Sequence, residues 1–183
     1  QGRDGWRAKV FQGETLYSIT SYKGMKYVQA MSNKSASGLP KELSVNLKTT
    51  PFLNWSWVID EIPTTNDERV KSGDDFAARI YVIAKTGWGI WNTAALNYVW
   101  SNKSPAGDFW PNPFTSKAIM YSVEQGTDLL GKIRTYKQNV RLDFERTFKK
   151  DIKQIEAIAI MTDTDNSQKQ AKALYGEIFF SSE

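Results

Sequence analysis

Apolar and polar side chains alternate along the stretch 73–84, and this alternation restricts the possible folds more than any other feature. Successive side chains of a strand point to opposite faces, so the stretch has two distinct faces. The apolar face carries Phe76, Ala78, Ile80 and Val82. The opposite face carries Asp75, Arg79 and Tyr81. The apolar set predicts a core face, whereas the second set predicts either a solvated face with a loose ion pair or a polar binding face.

The same alternation recurs along the chain, with turn residues between the repeats. The predicted strands are 6–11, 16–20, 27–32, 43–47, 52–60, 73–84, 94–101, 117–123, 155–161 and 173–180. Turns or loops are predicted for 35–40, 61–73, 101–116 and 162–172. Many short alternating strands predict an all-β sandwich, and the long connections favour a jelly roll. We expect one such domain over residues 1–183.

One short helix interrupts the strand pattern. Asn139 suits the N-cap position, because its side chain can accept a hydrogen bond from a free N–H of the first helical turn. Val140, Phe144 and Phe148 then recur every four residues. This spacing places them in one apolar stripe and predicts a helix that packs against the core.

Composition narrows the possible chemistry. The chain has no Cys and no His, which excludes thiolate nucleophiles, cysteine metal sites and the usual base of a nucleophilic serine. Its 24 Lys and Arg residues are scattered among 20 Asp and Glu residues. We therefore expect no nucleic-acid partner, since that requires a concentrated basic footprint. No apolar run is long enough for a membrane span, and no signal peptide is apparent.

Aromatic residues make up 13% of the chain, including seven Trp. Flat aromatic rings stack on the apolar faces of sugars, while neighbouring polar side chains bond to sugar hydroxyls. The predicted ligand-binding set is Trp55, Trp57, Asp75, Arg79, Tyr81, Trp88, Trp91, Tyr98, Trp100 and Trp110. For Trp55 and Trp57 the alternative is a place in the core, because Trp is usually largely buried.

A run of oxygen-bearing side chains follows the predicted strand 155–161. Asp163, Asp165 and Asn166 supply the hard oxygen ligands that calcium prefers, so the run predicts a structural calcium site. The run lacks the Gly and the distal Glu of an EF-hand loop. A solvated turn and a site for sugar hydroxyls are the alternatives.

The carboxylates leave a catalytic alternative open. Glycoside hydrolysis needs two carboxylates at a fixed separation, and Asp75 with Asp143 or Asp163 is a candidate pair. Asp143 lies beside the apolar stripe of the predicted helix, which also suits a structural ion pair with Arg79 or Arg141. A third alternative is a partner-binding scaffold that contains calcium.

Several motifs together resemble a bacterial family of domains of unknown function, DUF3047. They are Ser35–Leu39, Trp55-Ser-Trp57, Gly73–Arg79, Tyr98-Val-Trp100, Asp143-Phe144, Ile158–Asn166 and Tyr175–Ile178. The resemblance extends over nearly the whole chain. It implies an exported bacterial protein with a jelly-roll β-sandwich, similar to carbohydrate-binding modules and galactose-binding-like domains, with periplasmic or secreted localisation. It implies no catalytic residue. The expected ligand is a carbohydrate or a similar polyhydroxylated molecule.

Overall fold

The computed structural model describes residues 5–65, 67–87 and 92–183. The strands in these ranges are β1 Lys9–Gln12, β2 Leu16–Tyr22, β3 Met25–Asn33, β4 Ala36–Asn46, β5 Phe52–Glu61, β6 Arg79–Lys85, β7 Thr93–Ser101, β8 Phe109–Asn112, β9 Thr115–Gln125, β10 Arg134–Asn139, β11 Gln154–Asp163 and β12 Gln170–Ser181. A 3₁₀ turn, Lys71–Gly73, precedes β6, and helix α1 spans Val140–Phe148.

The strands form two sheets packed face to face. The larger sheet has seven strands in the order β1-β4-β11-β6-β7-β9-β8, and the smaller has five in the order β10-β5-β12-β3-β2. All neighbours are antiparallel except β7 and β9, which run parallel. This architecture confirms the predicted all-β sandwich with one short helix. The inner face of each sheet points to the other sheet, and the outer face points away from it.

Aromatic side chains fill the space between the sheets. Trp55, Trp57, Tyr98 and Trp100 are each at most 1% exposed. Trp55 stacks on Tyr98 with ring centroids 5.2 Å apart, and Trp57 meets Trp100 edge to face at 6.5 Å. The expectation that these four residues bind ligand is therefore corrected. They lie on the facing inner sides of β5 and β7, where no ligand can reach them.

Four assignments of local structure were wrong. Residues 35–40, predicted as a turn, largely belong to β4, because their small side chains fit closely between neighbouring strands. A Cβ atom on Gly38 would lie 3.2 Å from the Ile160 carbonyl oxygen. The predicted loop 101–116 contains β8, and β10 had no predicted counterpart. The segment 74–78 precedes β6 rather than forming its first half.

Helix α1 is built as its sequence predicts. The Asn139 side chain accepts a hydrogen bond from the Leu142 N–H at 3.1 Å and caps the first turn. Val140 and Phe144 are fully buried, while Phe148 is half-buried. The helix ends at Lys149, which has a left-handed φ of 56°. Within the described ranges, no helix has the length and apolar character required to cross a membrane.

Candidate functional site

Arg79 is the first residue of β6 and organises a buried polar cluster. Its Nε donates to Asp163 Oδ1 at 2.8 Å, and its Nη2 donates to Asp163 Oδ2. Both residues are 2% exposed. A bidentate arginine–carboxylate pair is among the strongest hydrogen-bonded contacts in proteins. It ties the start of β6 to the end of β11.

Asp74 shares the same guanidinium. Arg79 Nη1 lies 3.5 Å from Asp74 Oδ2, and Nη2 donates to the Asp74 carbonyl oxygen. The Asn112 side chain donates to Asp74 Oδ2 at 3.0 Å from β8. The Phe76 ring lies under the guanidinium, with its centroid 4.6 Å from Arg79 Cζ. These contacts fold the segment 74–78 back over the start of the sheet.

Asp75 lies in the segment before β6, and the expectation that it shares a strand face with Arg79 is corrected. Its carboxylate accepts from the backbone N–H groups of Asn166 and Ser167, the former at 3.2 Å. The Asn166 side-chain amide adds a bond of 3.2 Å. Asp75 is completely buried, so its carboxylate pins the loop 164–169 to the segment 74–78 instead of facing a ligand.

Burial raises the pKa of several carboxyl groups in this cluster. The pKa of Asp163 is raised to about 8 by burial, with Arg79 acting in the opposite direction and Asp75 and Asp74 reinforcing the rise. Burial also raises the pKa of Asp74 and of Asp165. The acidic groups outnumber the single guanidinium, which favours uptake of a proton or a cation.

Three carboxylates approach one another within the cluster. Asp75, Asp163 and Asp165 each offer an oxygen, and these oxygens all lie within 4.8 Å of one another. The sequence had proposed Asp163 and Asp165 with Asn166, whereas Asp75 is the third carboxylate here. Asn166 directs its side-chain NH₂ group to Asp75 at 3.2 Å. This arrangement of hard oxygen ligands suits calcium, and the calcium site stays a prediction.

Tyr81 lies on the outer face of the large sheet, because the alternating Ile80 and Val82 are fully buried on the inner face. Its ring is half-buried. Its hydroxyl accepts a hydrogen bond from Arg79 Nη1 at 3.3 Å. Burial raises the pKa of Tyr81 to about 12, so the phenol is neutral at physiological pH. Arg79 thus helps to position a ring on the outer face of the sheet.

The outer face around Tyr81 has a floor of mostly small side chains. Tyr81 lies between Ala159 of β11 and Asn97 of β7 in the strand register, and Ile83 lies between Ala157 and Ala95. The half-buried members of this floor are Tyr81, Ile83, Ala95, Ala157 and Ala159. Asn97 is buried, and its Oδ1 has no hydrogen-bond partner.

A shallow depression opens at one end of this floor. It has a volume of about 610 Å³ and is lined by Glu42, Leu43, Ile83, Glu156 and Ala157. Both glutamates are exposed. We call this surface, together with Tyr81, the outer-face groove. The sequence analysis missed Glu42 and Glu156, although each interrupts a strand that is otherwise rich in apolar residues.

The remaining predicted site residues lie elsewhere. Trp110 is 4% exposed and packs between Phe76, at 6.3 Å between ring centroids, and the Arg69 guanidinium, 5.0 Å from its ring. It therefore has little surface for stacking on a ligand. Trp88 and Trp91 lie outside the described residues.

The candidate catalytic pair of Asp75 with Asp143 is not brought together. Asp143 lies on α1 and accepts a hydrogen bond from the Tyr98 hydroxyl at 2.7 Å on the inner side of the large sheet. Asp75 instead bonds to Asn166 and Ser167. Asp163 does lie near Asp75, yet both are buried and engaged by other groups. Neither proposed pair presents an accessible acid and base to a glycan.

The model of the protein family of unknown function DUF3047 matches residues 4–179. The chain belongs to the DUF3047 family. This confirms the resemblance drawn from the motifs. A search of curated proteins gives no significant match to the DUF3047 chain.

Solved structures with the same fold include two carbohydrate-active domains. The xyloglucanase domain of NopAA, a type three effector from Sinorhizobium fredii solved with cellobiose, has a TM-score of 0.53 and 13% identity, covering 100% of this chain and 96% of that one. Endoglucanase cel12A from Rhodothermus marinus has a TM-score of 0.54 and 12% identity, covering 97% and 96%. At such low identity these likenesses establish the jelly-roll fold alone.

Proposed function

We propose that this DUF3047 chain is a non-catalytic module that binds a carbohydrate in the outer-face groove. The observation that carries the proposal is the open depression near Tyr81, which has Leu43, Ile83 and Ala157 as its apolar lining and Glu42 and Glu156 at its rim. Concave sites with a mainly apolar floor and a few polar groups are the usual form of ligand pockets.

The groove offers the two kinds of contact that a sugar needs. The Tyr81 ring and Ile83 provide apolar surface for the C–H face of a sugar ring. The exposed carboxylates of Glu42 and Glu156 accept hydrogen bonds from hydroxyl groups. The small side chains of Ala95, Ala157 and Ala159 on the same face let a pyranose ring approach the sheet closely. Buried Asn97 Oδ1, still without a partner, offers a further acceptor, through a bridging water or a small side-chain shift.

The first ligand to test is a β-linked glucan oligosaccharide. The choice comes from the two solved relatives, of which one is named a xyloglucanase domain and was solved with cellobiose, and the other is named an endoglucanase. A shared jelly roll does not transfer an activity to this chain. It does make cellohexaose and xyloglucan oligosaccharides the reasonable first panel.

A second candidate function is glycan hydrolysis, and Glu42 with Glu156 is the pair that favours it. The two carboxylates line one depression on adjacent strands of the large sheet. Glycosidases use a pair of carboxylates that flank the scissile bond. This pair replaces the combinations of Asp75 with Asp143 or Asp163, which are buried.

Isothermal titration with cellohexaose and xyloglucan oligosaccharides, paired with an assay of released reducing ends, separates the two functions. Binding without release supports the module, whereas release that is lost in both Glu42→Gln and Glu156→Gln supports the hydrolase. Tyr81→Ala should weaken binding about tenfold, which corresponds to roughly 1.4 kcal/mol. Glu145→Gln, an exposed change on α1, is the matched control. Absence of both binding and release would overturn both proposals.

A further inference from the structure

A second and larger cavity opens between the two sheets. Its volume is about 1180 Å³, above the range of roughly 300 to 1,000 Å³ that is usual for small-molecule pockets. Leu39, Val45 and Ile160 line it from the large sheet, and Ile19, Val28 and Phe180 line it from the small sheet. It lies inside the sandwich, whereas the outer-face groove lies on the opposite side of the large sheet.

Irregular strand pairing explains why the sheets do not close here. The pairing of β12 with β5 shifts register between Tyr175 and Ile178, and β11 shifts between Ile155 and Ala157. Bulges of this kind bend and twist a strand. In addition, β1 pairs with β4 only as far as Gly38, so the rest of β4 forms an open edge. The cavity lies beyond these points, between the inner faces of the two sheets.

Apolar side chains make up most of the wall of this cavity. Tyr17 and Tyr175 both line it, yet their hydroxyls donate to the Ser37 and Met161 carbonyl oxygens, each at 2.6 Å. Their polar ends are thereby satisfied within the protein, and their rings contribute to the apolar surface. A mainly apolar cavity of this kind favours an apolar guest, because binding removes apolar surface from water.

Lys41 is the exception in the apolar wall. It follows Leu39 on the inner side of β4 and is half-buried. Its Nζ lies 5.8 Å from the centroid of the Trp6 ring, and it takes part in none of the ion pairs among the described residues. The other charged lining residue, Glu177, is solvent-exposed. A partly buried ammonium without a carboxylate partner calls for an anionic group.

We infer that the cavity binds a long-chain fatty acid, with its acyl chain between the sheets and its carboxylate on Lys41. The wall of β4 from Leu39 to Val45 is roughly 20 Å long, at the usual rise of a strand, which suits an extended chain. The half-buried Trp6 is held over the opening, because the neighbouring Arg7 N–H donates to the Pro40 carbonyl oxygen at 3.0 Å. This inference is independent of carbohydrate binding.

Fluorescence titration of the whole chain with cis-parinarate, followed by displacement with oleate, palmitate, octanoate and oleyl alcohol, tests this directly. We expect saturable binding, with oleate and palmitate displacing the probe far better than octanoate. Lys41→Met should weaken oleate binding about tenfold or more, because a charge-assisted bond is lost, and should leave oleyl alcohol almost unchanged. Lys48→Met, outside the cavity lining, should bind like the parent chain.

Val45→Trp supplies the second arm, since it fills the cavity without touching Lys41. It should abolish displaceable binding of every long-chain ligand while cellohexaose affinity is unchanged. No saturable cis-parinarate signal with the parent chain would overturn the inference. Equal oleate affinity in the parent chain, Lys41→Met and Val45→Trp would overturn it as well, since the signal would then arise elsewhere on the surface.

Discussion

Arg79 and Asp163 form a bidentate ion pair with both side chains withdrawn from solvent. The pair joins the beginning of β6 to the end of β11, and Asp74 and Asn112 attach further segments to it. Its burial makes Arg79 a structural residue that positions Tyr81, and it leaves the guanidinium without a free face for a ligand.

Arg79→Met should lower the free energy of unfolding by about 3 to 5 kcal/mol, because it leaves a buried carboxylate without its partner. Arg79→Lys should cost less, since it keeps the charge but loses the bidentate geometry. Urea denaturation measures both. Arg141→Met is the control, because its ion pair with Asp151 is exposed to solvent and should contribute little to stability. An unchanged midpoint for Arg79→Met would contradict the structural role.

Phe144→Ala should destabilise the protein by roughly 3 to 5 kcal/mol, because Phe144 is a fully buried member of the core. Phe148 lies 5.5 Å from Phe144 between ring centroids but is only half-buried, so Phe148→Ala should cost distinctly less. Chemical denaturation of the two variants side by side provides the measurement. Equal losses would mean that α1 does not pack on the core through Phe144.

Stability should fall as the pH rises from about 4 to about 8. Burial raises the pKa of Asp74, Asp163 and Asp165, that of Asp163 to about 8, above the value of about 3.9 in an unfolded chain. The folded cluster of carboxyl groups therefore shares a retained proton within this window, while Arg79 stays paired with a carboxylate. The stabilisation is complete below the unfolded value and is lost as the pH passes the folded value. Urea titrations across this range should show the slope in the parent chain and a shallower slope in Asp163→Asn. A parent chain whose stability rises throughout the window would contradict this.

Calcium should raise the melting temperature of chelator-treated protein if it binds Asp75, Asp163 and Asp165, because a ligand specific for the native state stabilises it by mass action. The increase should be larger at pH 8 than at pH 5, since calcium binds the ionised carboxylates. Asp165→Asn should remove most of the increase. Asp128→Asn, an exposed change outside the cluster, should retain it. No shift at millimolar calcium would contradict the calcium site and leave Asp163 with its structural role beside Arg79 alone.

Alternation predicted most of the fold, because a strand with one buried face leaves a period of two in its sequence. It could not predict β10, whose residues are half-buried or exposed along its whole length and carry no apolar face. Nor could it predict the start of β4, where Ser37 and Gly38 are buried for their small size. Gly and Ser are common in turns and also fit where strands pack closely, so their presence alone does not distinguish a turn from a strand.

The site was harder to predict than the fold for two physical reasons. The first reason is that alternation separates the two faces of a strand without saying which face packs against the other sheet. Trp57 and Trp100 were therefore assigned to a binding face, although both are buried in the core. The second reason is that contacts between distant segments leave no pattern in the local sequence. Asp75, whose carboxylate accepts hydrogen bonds from backbone N–H groups of the distant loop 164–169, is an example. Arg79 and Tyr81 were correctly placed on one face of the central strand. The position of Glu42 in the groove results from the pairing of β4 with β11, which no local pattern predicts.

The most direct test of the carbohydrate account is a titration of ¹⁵N-labelled protein with cellohexaose, followed by amide chemical shifts. The account predicts saturable shifts confined to the outer-face groove, at Tyr81, Ile83, Glu156 and Ala157, with the amides of α1 unchanged. Shifts confined to other surfaces, or none at saturating cellohexaose, would contradict it.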